Sequence, residues 1–266
     1  MPKQNPEFTQ IVNYMKAHWP SRVKPEWQVS LEEYPVLAKK VFADLTVDKT
    51  TEHHLARIAG LSGSGKTTQL LPAVENYFNS QNLAPVLVAA RIFAAYHPHY
   101  QEINDFYGEA KVRSMTDEFA TIMMFLILDA LTKAGYDIIL DVTLLDPAVE
   151  EILLKALSAN HYENLLLMIA ASPEVTEKHL GGRNWRHTRE TELEFIRATK
   201  AAMEFYATKA PELRAVIWNV YDTEPIYDGP VENSIKTFTK YSTVTDIPPH
   251  DEAELRSAKI KYLSGD

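Results

Sequence analysis

One segment constrains this chain more than any other: Gly60-Leu61-Ser62-Gly63-Ser64-Gly65-Lys66-Thr67-Thr68. It follows directly on the apolar run Leu55–Ala59 and leads into the helix-like QLLPAVENYF. The pattern G-x-x-x-x-G-K-T between a strand and a helix is a phosphate-binding loop. Glycines let the backbone curl so that successive N–H groups of residues 60–67 point inward at a phosphate, and the new helix adds its positive end. Ser62, Ser64 and Thr68 complete the cradle. Lys66 supplies a charge for the outer phosphates, and Thr67 a hydroxyl for Mg²⁺. Glycine is scarce elsewhere: three of only nine fall within residues 60–65. The loop predicts a nucleoside triphosphate, ATP or GTP, as ligand.

The rest of the chain alternates in a matching way. Apolar runs at Leu55–Ala59, Val86–Ala90, Ile138–Leu140, Leu165–Ala171 and Ala215–Val220 are separated by helix-length stretches at Lys66–Asn79, Asp117–Ala134, Ala148–Ala159 and Glu190–Thr208. Strand–helix alternation predicts an α/β fold, a five-stranded parallel sheet covered on both faces. Two amphipathic segments precede it, around Phe8–Met15 and Leu31–Leu45. The expected organisation is a helical N-terminal extension (1–50), a three-layer α/β core (51–228) holding the loop, and a C-terminal extension packed on the core (229–266) that ends in a peripheral helix.

Composition excludes several classes. Without cysteine there is no disulfide framework, thiolate metal site or thiol nucleophile. A net charge of −9 is a poor balance for coating nucleic acid or an anionic membrane, so neither is expected as a partner. No apolar stretch approaches the ~18 residues of a spanning helix, and the first residues lack a signal-peptide pattern. A cytoplasmic protein is the expectation. His53-His54 and His97-x-His99 lack partners at ligand spacing and read as structural.

Two further segments carry chemistry. The third apolar run ends in Asp141, at the strand end where α/β folds bind ligands, placed to hold Mg²⁺ or its water. Gly181-Gly182 opens a stretch with Arg183, Arg186 and Arg189, three of the chain's ten arginines. Arginine forks match phosphate oxygens and stabilise charge on a transferring phosphoryl group, so this segment reads as a closing lid.

In this order the motifs resemble the zeta toxin family of P-loop kinases. The resemblance rests on Ile58–Thr68 (IAGLSGSGKTT), Phe93–Pro98 (FAAYHP), Gly135–Pro147 (GYDIILDVTLLDP), the glycine–arginine lid with Phe195–Ala198, and Ile217–Tyr221, and covers residues 50–228 patchily. It implies γ-phosphate transfer to a hydroxyl of a small molecule, such as UDP-N-acetylglucosamine or another sugar nucleotide, and an antitoxin partner. It makes Lys66, Asp141, Arg183, Arg186 and Arg189 catalytic, and Thr143 a residue of the substrate pocket.

Two positions depart from the family pattern. Seven residues before Pro98, where the family carries a catalytic aspartate base, stands Arg91; two beyond Thr143, where an arginine is common, stands Leu145. Either another carboxylate, Asp141 or Asp117, takes the proton, or Arg91 holds an anionic acceptor. The alternatives are a nucleotide-binding regulator of the same fold without transfer, and a kinase for another small molecule such as a nucleoside or dinucleotide.

Overall fold

The computed structural model describes residues 12–13, 17, 21–142, 144, 147–180, 189–246 and 248–265. Arg183, Arg186, Thr143 and Leu145 lie outside these residues, as does most of the first predicted N-terminal helix.

A sheet forms the centre, with strands β1 (His54–Gly60), β2 (Val86–Val88), β3 (Ile138–Asp141), β4 (Glu163–Ala170), β5 (Arg214–Asn219) and β6 (Tyr227–Pro230). Their spatial order is β2-β3-β1-β4-β5-β6. Five strands are parallel, as the alternation predicts; β6 is antiparallel to β5, so the sheet has six strands rather than five. Tyr227-Asp228-Gly229-Pro230 shows no apolar alternation and carries a proline, which a sheet accepts only at an edge. A side-chain fork recruits it: Arg214 donates from Nε and Nη2 to the two carboxylate oxygens of Asp228, at 2.8 and 2.7 Å. The core boundary drawn at 228/229 therefore falls inside β6.

Helices cover both faces. They are α1 (Tyr34–Leu45), α2 (Leu71–Ser80, reached through a π-type turn at Lys66–Leu70), α3 (Ala90–Phe93), α4 (Tyr100–Tyr107), α5 (Glu109–Met115), α6 (Asp117–Ala134), α7 (Pro147–Ala159), α8 (Pro173–Leu180), α9 (Arg189–Lys209), α10 (Ile235–Tyr241) and α11 (Glu252–Ser264). Among the described residues, no helix is long and apolar enough to cross a membrane. The most apolar, α6, buries ten side chains. It packs with α1 on one face of the sheet, where Tyr34 stacks on Phe119 with ring centroids 5.6 Å apart. On the other face α2 and α11 lie together over Ile58, Ile139 and Trp218.

Strand β1 is central and buried along almost its whole length, as a strand flanked by two parallel neighbours must be. It carries one charge into the interior. Arg57 forms a two-armed ion pair with Glu150 of α7, and Tyr206 of α9 donates to Glu150 at 2.7 Å. Burial opposes the guanidinium charge, but Glu150 and Tyr206 outweigh it and hold Arg57 protonated. The network ties the helices on either side of β4 to the strand that feeds the glycine loop.

Candidate nucleotide site at the ends of β1 and β3

Strand β1 lies where the order reverses, with β3 on one side and β4 on the other, so the two crossovers leave a crevice at its C-terminal end. The glycine loop occupies it. Gly60 has φ of 144°, and an added Cβ would stand 2.8 Å from the Ile169 carbonyl oxygen and 2.9 Å from Ser64 Oγ. Gly63, with φ of 80°, would drive a Cβ to 2.8 Å from the Thr176 carbonyl oxygen of α8. Only glycine permits these turns against such close neighbours.

Ser62, Gly63, Gly65, Lys66, Thr67 and Thr68 line a cavity of about 290 Å³ together with Gln69, His179 and Glu252. Gly60 and Ser64 shape the loop from behind; Ser64 is buried with its hydroxyl unpartnered. Lys66 donates to the carbonyl oxygens of Gly60 (2.6 Å) and Leu61 (2.8 Å). Burial pushes its ammonium down to about 8, an effect that Asp141 opposes and Arg91 reinforces. Exposed Thr67 and Thr68 present their side chains at the first turn beyond the loop. The curled glycine backbone and the Lys-Thr pair are the donor set a triphosphate requires.

Asp141 reaches this place through register: Ile58 of β1 pairs with Asp141 of β3, and the Val142 N–H donates to the Ile58 carbonyl. Its carboxylate is nearly covered and forms an ion pair with Arg91. Arg91 stands in the four-residue helix α3, directly after β2, which β3 also pairs. The position expected to carry a base thus carries a cation, spent on the neighbouring acid. Thr67 lines the cavity, whereas Asp141 stands outside its lining and is held by Arg91.

The other predicted residues are not brought together here. Asp117 is exposed at the first turn of α6 and does not line the cavity. Arg189, the described member of the arginine trio, is exposed and pairs with Glu174 of α8. His97 is buried with its ring edge-on to Phe119 and accepts the His99 N–H at 3.1 Å; burial pushes it down to about 4, so it is neutral.

Sequence reasoning missed His179, Tyr221 and Glu252. His179 Nδ1–H donates to the Gly63 carbonyl at 2.8 Å, which fixes the tautomer, and the Tyr221 hydroxyl donates to Nε2 at 2.7 Å. Their positions, before Gly181, after β5 and 192 residues beyond Gly60, give no local signal.

The family model described as Zeta toxin matches residues 43–228. A curated relative, Toxin PezT of Streptococcus pneumoniae serotype 4 (strain ATCC BAA-334 / TIGR4), is 29% identical over 119 residues, which is 45% of this chain. The match spans 45% of that relative's length. Among solved structures, the PezAT chromosomal toxin–antitoxin system of the human pathogen Streptococcus pneumoniae superposes with a TM-score of 0.65 at 20% identity, covering 90% of this chain and 99% of that one. A complex of AvrRxo1-ORF1 with AvrRxo1-ORF2 and sulphate ions gives 0.55 at 13% identity, covering 98% and 91%. A further AvrRxo1 complex, with ATP, gives 0.52 at 13%, covering 87% and 86%. At these identities the structural likeness speaks to the fold.

Proposed function

The chain belongs to the zeta toxin family, and from that premise we propose that it is an ATP-dependent kinase that transfers the γ-phosphate to a hydroxyl of a small molecule. One observation carries this reading: the glycine loop and Asp141 converge at the ends of adjacent strands, with Lys66 of the loop within electrostatic reach of Asp141. The ATP in one AvrRxo1 complex supports ATP as the donor, and the PezAT toxin–antitoxin system supports an antitoxin as partner. UDP-N-acetylglucosamine or another sugar nucleotide is the acceptor the family membership favours.

In this reading the amides of residues 60–67 hold the phosphates in place, and Lys66 leaves the Gly60 and Leu61 carbonyls for the outer phosphate oxygens. Thr67 and Asp141 would hold Mg²⁺, which when bound neutralises charge on the phosphates. Arg183 and Arg186, with Arg189, are proposed to close over the transferring group. Phosphoryl transfer passes through a loose transition state, so positioning and charge stabilisation carry most of the rate. That tolerates the absence of an aspartate at position 91. Asp141 and Asp117 are the remaining carboxylates proposed to take the acceptor's proton, and Asp141 does so only when Arg91 releases it.

The Arg91–Asp141 pair favours a second reading, a nucleotide-binding regulator that does not transfer phosphate. One experiment separates the two. The purified chain is incubated with Mg²⁺, γ-labelled ATP and a metabolite extract. A kinase yields a labelled small molecule, lost in Lys66→Ala. Tight ATP binding with no labelled product, in wild type and variant alike, supports the regulator and overturns the kinase.

A further inference from the structure

The C-terminal segment lies beyond the residues matched to the family, which end at 228, yet it reaches the phosphate loop. Glu252, the first residue of α11, lines the same cavity as Lys66 and Thr67. His250 packs its ring 4.6 Å from that of Tyr221, which stands 5.5 Å from His179. His179 is in turn bonded to the Gly63 carbonyl. Three rings from three distant segments therefore meet beside the loop, with the Tyr221 ring buried and both histidines exposed.

The segment is anchored. Lys259 of α11 is fully buried and donates to the Asp222 carbonyl at 3.0 Å, next to Tyr221. Asp251 caps the helix by accepting the Ala253 N–H at 2.8 Å.

The cavity has a mixed lining. Lys66, the glycine loop and the threonine hydroxyls share it with His179 and the Glu252 carboxylate. A carboxylate repels a phosphate and attracts N–H and O–H donors. The anionic tail of a nucleotide thus belongs against Lys66 and the loop amides, and its uncharged, donor-bearing nucleoside against Glu252.

We propose that the C-terminal segment completes the nucleotide site: His179 and His250, held by Tyr221, stack the base, and Glu252 accepts a hydrogen bond from the nucleoside. This rests on the nucleotide-binding reading given above.

The test is calorimetry on the full chain with Mg²⁺, using ATP and inorganic tripolyphosphate as paired probes. Stacking on an aromatic ring predicts that His250→Ala weakens ATP about five- to fiftyfold, with Glu252→Ala acting in the same direction. Tripolyphosphate, which has no nucleoside, should bind His250→Ala as it binds wild type and Glu252→Ala at least as tightly; that also reports on folding. Unchanged ATP affinity in both variants, or an equal loss for both probes, overturns the proposal while leaving the nucleotide reading intact. Failure of the wild type to bind either probe overturns both.

Discussion

Arg91, in the short helix α3 just beyond β2, forms an ion pair with the nearly covered Asp141, at the end of the adjacent β3. Strand pairing sets the two side by side, and the pair stands within electrostatic reach of Lys66. The acid proposed to hold Mg²⁺ is therefore already paired with a cation, at the position where the resemblance led to the expectation of an acid.

If the two cations compete for Asp141, Arg91→Ala should lower the Mg²⁺ concentration needed for half-maximal ATP binding, by about three- to tenfold, since a hydrogen-bonded charge pair contributes ~1 kcal/mol or more. Asp141→Asn should raise it. A Mg²⁺ titration of ATP binding reads both; an Arg91→Ala curve that overlays the wild type would refute the competition.

Gly60→Ala should cost both stability and ligand binding. The new methyl would meet the Ile169 carbonyl oxygen at 2.8 Å in a backbone region that alanine rarely adopts. A loss of ~2 kcal/mol or more in denaturant unfolding, with ATP binding abolished, is the expected pair of results. A variant that melts and binds like wild type would show that the loop takes another course.

The buried Arg57–Glu150 pair makes an asymmetric prediction. Glu150→Ala leaves Arg57 charged and uncompensated inside the sheet, at a cost of about 3–5 kcal/mol. Replacing both partners, with Arg57→Met and Glu150→Leu, should be much less damaging than that single change. Chemical denaturation of the two variants checks it. Equal losses in Glu150→Ala and the double variant would mean that packing, not charge, governs this site.

His97 gives the stability a pH dependence of known sign. Its ring is pushed from the ordinary 6.5 down to about 4 by burial, and then by His99. Between those values the unfolded chain takes up a proton that the folded chain refuses. This contribution is fully present above pH 6.5 and is lost as pH falls toward 4, by about 3 kcal/mol at most. His97→Asn keeps an oxygen for the His99 N–H but cannot titrate. Melting temperatures from pH 4 to 7 should fall less steeply in the variant; parallel curves would exclude His97 as the source.

What the linear order of residues determined by itself is the local chemistry. A loop such as Gly60–Thr68 is readable because its requirements, glycine at forced turns and Lys-Thr at the helix start, are met by neighbours in the chain. The same holds for the five parallel strands and for α6, whose expected bounds Asp117–Ala134 coincide with the observed helix. Only the tertiary structure decided the rest. Strand register placed Asp141 against Arg91, and no spacing along the chain encodes which acid a cation will find across a sheet. A side-chain fork between Arg214 and Asp228, not an apolar pattern, added the sixth strand. The folding back of α11 brought Glu252 to a loop nearly two hundred residues away. Contacts of that kind depend on packing between elements, where sequence distance carries no information.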